Sequence, residues 1–257
     1  MSEKAVCRII EREWIAPDHY ILRLEDRLSE KSLPGQFVMI SPRTPTEPFF
    51  KRPYSIFRRA GGELQLLIKV VGRGSKQTSA MPVGSEIEVV GPLGNHFGLD
   101  ACERLALLVG GGIGMAPLYE LAETLSGKSV RVAVLLGART CGLLLIQNDF
   151  RKLGVEVHCA TDDGSEGLHG NVGHLLKKYL DGQPEENVRI YSCGPEVMMR
   201  GVAEIASQYC LPCELSLEAH MGCGFGVCLG CVVENHNGEY RRVCKDGPVF
   251  DAREIYG

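Results

Sequence analysis

Four cysteines near the C-terminal end, Cys223, Cys228, Cys231 and Cys244, are spaced C-x4-C-x2-C-x12-C. No other feature of this chain of 257 residues restricts its fold as strongly. Three thiols must share one tight loop, and the fourth must arrive from a following hairpin. This is the ligand spacing of a plant-type [2Fe–2S] site. The loop, Met221-Gly222-Cys223-Gly224-Phe225-Gly226-Val227-Cys228-Leu229-Gly230-Cys231, interleaves four glycines with its cysteines. Glycine lets a backbone curl around a cluster and aim N–H groups at sulfur, and those bonds favour the reduced, more negative state. The alternative is a structural zinc site. Zinc sites usually pair two short knuckles, each with its own C-x2-4-C, whereas here one end supplies a single cysteine.

The chain holds eleven cysteines. Behind Met1-Ser2-Glu3-Lys4 there is no apolar signal core, so a cytoplasmic location is expected, with thiols or metal ligands and not a disulfide framework. Cys210-Leu211-Pro212-Cys213 has redox spacing, yet it closes a predicted helix where redox pairs open one, and it reads as packing. Cys7, Cys102, Cys141 and Cys159 read as small apolar residues. Hydrophobic residues make up 44% and charged residues 23%, with a net charge of −4. Such a chain folds, and it has no electrostatic footprint for nucleic acid. The longest apolar runs, Leu105 to Val109 and Gly142 to Ile146, are too short to span a bilayer.

Three segments succeed one another: residues 1–99, 100–210 and 211–257. The first carries short β-rich runs (Cys7 to Leu24, Gly35 to Ile40, Tyr54 to Phe57, Leu64 to Val71, Ile87 to Val90) with a Gly61-Gly62 hairpin signal, and it reads as a small antiparallel barrel. In the second, strands Leu105–Val109, Val130–Leu136, Val155–Cys159 and Val188–Ser192 alternate with helical stretches Ala116–Leu125, Val172–Tyr179 and Glu196–Gln208. That alternation means a doubly wound parallel sheet. The third is the glycine- and cysteine-rich segment. The fold class is therefore multi-domain, β plus α/β, with a small C-terminal cluster domain.

Two glycine turns carry further chemistry. Gly110-Gly111-Gly112-Ile113-Gly114 follows a buried strand and opens a helix, so its N–H groups suit a pyrophosphate at the positive helix end. Met115 stands where a third spaced glycine would be, and a purely structural turn is the competing explanation. The loops Ser192-Cys193-Gly194-Pro195 and Thr161-Asp162-Asp163-Gly164 also fall at strand ends, where such sheets bind ligands; Asp162 and Asp163 read equally as turn formers. In the barrel, Arg52-Pro53-Tyr54-Ser55 places a guanidinium beside an aromatic ring and a hydroxyl, a set suited to a flavin diphosphate. Lys69 to Ser75 adds N–H donors and positive charge.

Arg52-Pro53-Tyr54-Ser55, Gly91-Pro92-Leu93-Gly94, Gly110 to Pro117 and Cys193-Gly194-Pro195 together resemble the ferredoxin–NADP reductase superfamily. Ser216-Leu217-Glu218, the cysteine loop and Val243-Cys244-Lys245-Asp246-Gly247-Pro248-Val249-Phe250 are similar to the electron-transfer subunits of class 1B dihydroorotate dehydrogenases, over nearly the whole length. The resemblance implies FAD on the barrel at Arg52, Pro53, Tyr54, Ser55, Ile68, Lys69, Val70, Gly74 and Ser75. It implies NAD as co-substrate on Gly110, Gly111, Gly112, Ile113 and Gly114, with Cys193 and Gly194 near the nicotinamide, and a [2Fe–2S] cluster on the four cysteines. The implied partner is an FMN-containing catalytic subunit that oxidises dihydroorotate for pyrimidine biosynthesis, two of each forming a heterotetramer. Ser75 stands where threonine is common.

Electron number orders such carriers. NAD takes a hydride, a [2Fe–2S] cluster passes single electrons, and a flavin does both, so the expected wire runs from partner FMN through cluster and FAD to NAD. The chain then needs no catalytic acid or base of its own. The segment after residue 210 is shorter than fifty residues and is expected to need its metal and its neighbours to fold. Three rivals share parts of this pattern. One is the NAD(P)H-binding small subunit of a ferredoxin-dependent transhydrogenase or sulfide dehydrogenase, whose relatives often carry aspartate where this chain has Cys223. Another is an oxygenase reductase, which carries a full ferredoxin domain. The third is a zinc-stabilised nucleotide-sensing module. Arg139, in the loop Gly137-Ala138-Arg139-Thr140, suits a 2′-phosphate, so NAD in place of NADP follows from the resemblance alone.

Overall fold

The computed structural model describes residues 3–43, 50–99, 104–128, 130–182 and 187–257. The expected start of the second segment at residue 100, and Cys102, lie outside the described residues. The barrel is made of β1 (Glu3–Ala16), β2 (His19–Glu25), β3 (Phe37–Pro42), β4 (Arg52–Ala60), β5 (Glu63–Lys69) and, after helix α1 (Arg73–Ala80), β6 (Glu86–Leu93). These strands close antiparallel in the order β1-β2-β5-β4-β3-β6. Period-two alternation explains the closure. Tyr20, Leu22 and Leu24 of β2, Leu64, Leu66 and Ile68 of β5, and Ile87 and Val89 of β6 all turn inward into one apolar core. The β4–β5 hairpin turns at Gly61-Gly62, as the sequence predicts.

A parallel sheet follows: β7 (Leu105–Gly111), α2 (Ala116–Ser126), β8 (Arg131–Ala138), α3 (Gln147–Lys152), β9 (Glu156–Thr161), β10 (Leu168–His169), α4 (Val172–Gly182), β11 (Val188–Cys193), α5 (Glu196–Gln208) and β12 (Cys213–Ser216). Two short strands, β13 (Val232–Glu234) and β14 (Tyr240–Arg242), pair as a separate hairpin, and β15 (Val249–Asp251) with α6 (Ala252–Tyr256) ends the chain. The sheet order is β10-β9-β8-β7-β11-β12-β15, with β15 antiparallel at the edge. Every residue of β7 is buried, because both faces are covered. Leu105, Leu107 and Val109 pack with α4 and α5, and Ala106 and Leu108 pack with α2. Among the described residues no helix is long and apolar enough to cross a membrane.

The segment after residue 210 is woven into its neighbours. Its first and last strands, β12 and β15, complete the parallel sheet, and the cysteine loop and hairpin rise between them. Asn95, beyond the barrel, completes the junction. Its Nδ2 donates to the carbonyls of Asp246 and Val249 at 3.1 and 2.7 Å, and its Oδ1 accepts from Val249 N–H at 2.9 Å. Barrel and sheet also meet where Arg58 of β4 forks Glu123 of α2, with Nη2 to Oε1 at 2.6 Å, beside the mutually tilted rings of Phe57 and Tyr119. These two junctions orient the segments toward one another.

Candidate functional site

The thiols of the loop fall into two pairs. Val227 and Cys228 N–H groups donate to Cys223 Sγ at 3.4 and 3.5 Å, and the Cys228 thiol bonds the same sulfur. Cys244 N–H donates to Cys231 Sγ at 3.5 Å, and the two side chains bond each other. Burial raises the Cys223 thiol pKa, but the N–H groups of Cys228, Phe225 and Val227 outweigh it and bring it down to about 6. Burial, and then the neighbouring Cys231 thiol, push Cys244 up to about 12. Among the described residues no three His, Cys, Asp or Glu side chains converge on one metal ion. Two pairs of thiols suit two irons, each taking two cysteines, better than they suit a single zinc. Gly224 shows why the loop needs its glycines. It has φ +86°, and a Cβ there would lie 2.6 Å from Met39 of β3. The loop is thus seated directly on the barrel. Cys231 and Cys244, each 2% exposed, share one apolar cluster with Phe37, Met39 and Leu93. Around them the surface is unusually apolar: Phe225, Val227, Leu229 and Tyr240 are all more than half exposed.

The barrel residues converge at the start of α1. Arg52, Pro53, Tyr54 and Ser55 open β4, opposite Ile40, Met39, Val38 and Phe37 of β3. The Arg52 guanidinium lies across Gly74, where a Cβ would come within 2.8 Å of Nε. A cation therefore stands beside the N–H groups of the helix's first turn, a pairing suited to a diphosphate. Tyr54 is half-buried, and burial pushes its hydroxyl up to about 12 against the pull of Arg52, so it stays neutral. Ser75 Oγ accepts from the N–H groups of Val71 and Gly72 at 3.0 and 3.2 Å. Its hydroxyl is engaged in its own turn, leaving the backbone for a ligand. Of the β5 end, Ile68 is buried in the barrel core, Val70 is half-buried and donates its N–H to Asp18, and Lys69 is exposed.

Lys69 joins this face to two cavities, of about 740 and 510 Å³, that share Gly111, Gly112, Ile113 and Pro195 as a common wall. The smaller runs over the ends of β8 and β9, past Arg139 and Asp162. The larger runs past Gly194, Leu217 and Glu218 to Tyr256. A dinucleotide crossing the glycine turn would occupy both. Gly110 and Gly114 do not line either cavity but shape the turn: a Cβ on Gly114 would stand 2.4 Å from the Cys193 carbonyl oxygen, and one on Gly110 would overlap Met115. Met115, where a spaced glycine would be, thus fills the space beside Gly110. Cys193 is buried beneath the turn, and burial first, then the charge of Glu218, raises its thiol pKa.

The two aspartates separate. Asp163 accepts from Ser165 N–H and Oγ at 2.9 and 2.6 Å, a turn role, while Asp162 lines the smaller cavity. Sequence reasoning missed Glu218 and Tyr256 as cavity residues. Glu218 is walled by protein yet reachable by water, and burial in the cleft raises its carboxyl pKa. Its position one residue beyond the buried Leu217, at the carboxyl end of a sheet strand, was the available signal. Cys213 opens β12, pushed up to about 12 by burial, while Cys210 is exposed.

Three family models match consecutive parts of the chain: an oxidoreductase FAD-binding domain over residues 6–97, an oxidoreductase NAD-binding domain over residues 108–204, and the iron-sulfur cluster binding domain of dihydroorotate dehydrogenase B over residues 218–256. The chain is 38% identical to the dihydroorotate dehydrogenase B (NAD(+)) electron transfer subunit of Geobacillus kaustophilus, covering 96% of each chain. It is 35% identical to the corresponding protein of Desulforamulus reducens, covering 99% of each. Among solved structures, a chain of an NADH-dependent reduced ferredoxin–NADP oxidoreductase superposes with a TM-score of 0.85 at 30% identity, covering 98% of this chain and 90% of that one. The ferredoxin reductase of carbazole 1,9a-dioxygenase shares the fold, with a TM-score of 0.71 at 23% identity, covering 82% of this chain and 67% of that one.

Proposed function

The chain belongs to the family of dihydroorotate dehydrogenase B electron transfer subunits, and from this premise we propose how its residues divide the work of passing electrons to NAD+. Residues 1–99 hold FAD, 100–210 hold NAD and 211–257 hold the cluster. When bound, FAD exchanges a hydride with the nicotinamide and single electrons with the [2Fe–2S] cluster. The chain's own residues bind and orient. Arg52 and the first turn of α1 neutralise the FAD diphosphate, with Pro53, Tyr54, Ser55, Ile68, Lys69, Val70, Gly74 and Ser75 around it. Gly111, Gly112 and Ile113 offer N–H groups to the NAD pyrophosphate, and Gly110 and Gly114 let the turn close. Gly194 and Glu218 border the nicotinamide end, with Cys193 buried beneath the glycine turn. Cys223, Cys228, Cys231 and Cys244 hold the cluster. No residue serves as a catalytic base.

One observation carries this reading: the buried cysteines Cys231 and Cys244 share an apolar cluster with Phe37, Met39 and Leu93, so the iron–sulfur loop rests on the barrel that presents Arg52 to Ser55. The partner is the FMN-containing subunit that oxidises dihydroorotate, in a heterotetramer of two of each, docked over the exposed Phe225, Val227, Leu229 and Tyr240. The assembly is cytoplasmic. The test is to co-express the two subunits and mix the purified complex with dihydroorotate and NAD+ or NADP+. NADH formation with NAD+ preferred supports the reading. Reduction of NADP+ alone, or no response to dihydroorotate from a complex that holds all its flavins and iron, refutes it.

A further inference from the structure

Gly226 stands at the tip of the loop that carries Cys223, Cys228 and Cys231, and the turn carrying Cys244 holds its carbonyl and lays the Lys245 side chain against its α-carbon. Its carbonyl accepts from Arg242 Nη1 at 3.5 Å. The same guanidinium forks Asp246, with Nε to Oδ2 at 3.0 Å and Nη2 to Oδ1 at 2.9 Å. The Arg242 backbone closes the turn: its N–H donates to Asp246 Oδ2 at 2.8 Å, and its carbonyl accepts from Lys245 and Asp246 N–H at 3.1 and 2.8 Å. One side chain thus ties the loop bearing three ligands to the turn bearing the fourth.

The Arg242 guanidinium is held at the Gly226 carbonyl, between Cys223 and Cys228 in the loop, so its charge sits against the segment that bears the ligands. The neighbouring cation Arg241 is committed elsewhere, to Glu254 and Glu239 at 2.7 and 2.9 Å. Arg242 is 32% exposed on its side chain, against 29% for Asp246, so the pair is screened only in part. A fixed cation near a cluster that gains negative charge on reduction favours the reduced form, and the carboxylate beside it opposes that effect.

Resting on the reading that the four cysteines hold a [2Fe–2S] cluster, we propose that Arg242 is a positioning residue that sets the cluster's reduction potential, by pinning Gly226 against the Cys244 turn and by placing a cation against the segment that bears the ligands, with Asp246 as its counterweight. The two residues are expected to pull in opposite directions. Arg242→Gln removes the cation and leaves Asp246 uncompensated, lowering the reduced-to-oxidised ratio at a fixed potential about tenfold, equivalent to about 59 mV for one electron. Asp246→Asn raises it by a similar factor. Arg242→Lys keeps the charge and loses the fork, so its reduced-to-oxidised ratio at a fixed potential stays within about threefold of wild type while iron is lost faster on standing.

The experiment is an anaerobic potentiometric titration of the cofactor-loaded chain, reading the cluster's electron paramagnetic resonance signal and normalising it to iron and sulfide. Opposite shifts in Arg242→Gln and Asp246→Asn support the proposal. A merely structural role would lower cluster content and leave the potential of the remaining clusters unchanged, and that result would overturn it. Should Arg242→Gln fail to hold a cluster, the sign of the Asp246→Asn shift decides. Wild-type protein with no such signal would refute the cluster reading itself, a separate outcome.

Discussion

Single residues carry the proposed cofactor contacts, and four substitutions separate their roles. Cys228→Ser removes one member of the Cys223–Cys228 pair. The variant is expected to lose its cluster and to transfer electrons to the partner at background rate, while NADH still bleaches its flavin. Iron analysis with stopped-flow absorbance reads both. Gly114→Ala drives a methyl group into the Cys193 carbonyl, backbone that cannot move aside. We expect about 3 kcal/mol of lost stability and loss of NAD binding. Gly112→Ala meets nothing within 4 Å, at φ +56°, and is expected to cost only about 1 kcal/mol; thermal melts of the two compare them. Gly74→Ala displaces the Arg52 guanidinium and should weaken FAD retention about tenfold, or about 1.4 kcal/mol, measured by flavin release on dilution. At this scale the cysteine spacing and the Arg52 motif were legible because each chemistry fixes residue type and separation. Glu218 and Tyr256 were not, since they meet the cavity only through the fold. Arg242 was hidden for the same reason: its partner Gly226 lies sixteen residues away.

Elements show a different limit. The barrel strands and the βαβ alternation were readable from period-two and continuous apolar runs. Helix α1 was not, because Arg-Gly-Ser-Lys-Gln-Thr-Ser-Ala has no apolar stripe; it buries only Gly74, Ser75 and Thr78. The positions of β12 and β15 within the sheet were hard to read because short strands join a sheet through distant partners. Helix α2 carries a prediction of its own. Glu120 is 9% exposed, with Oε2 buried and without a hydrogen-bond partner, and burial, then repulsion from Glu123, raises its pKa to about 7. The native state therefore holds a proton that the unfolded chain releases near the ordinary value of 4.5. Stability from this group is complete below about pH 4.5, declines as pH rises to about 7, and is then lost. The loss amounts to about 3 kcal/mol at most. Glu120→Gln should abolish that decline, so that the variant matches wild type near pH 4.5 and exceeds it at pH 8. Urea midpoints at the two pH values test this; equal pH slopes would refute it.

The whole molecule brings barrel, nucleotide sheet and cysteine loop into contact through a chain that returns on itself. The cysteine loop leaves the sheet at β12, rests on the barrel through Gly224 and Met39, and re-enters the sheet at β15. Asn95 and the Arg58–Glu123 fork bind barrel to sheet on either side. The sequence order of barrel, nucleotide sheet and cysteine segment was readable, but not that the last segment supplies two strands to the sheet before it. Small segments fold by borrowing neighbours, and here the borrowing also seats the cysteine loop on the barrel. The most direct test of that juxtaposition is to add NADH anaerobically to the purified, cofactor-loaded chain, without its partner, and to record the electron paramagnetic resonance spectrum. The account predicts a reduced-cluster signal in wild type, arising together with flavin bleaching. A bleached flavin beside an intact, iron-replete cluster that stays oxidised would contradict it.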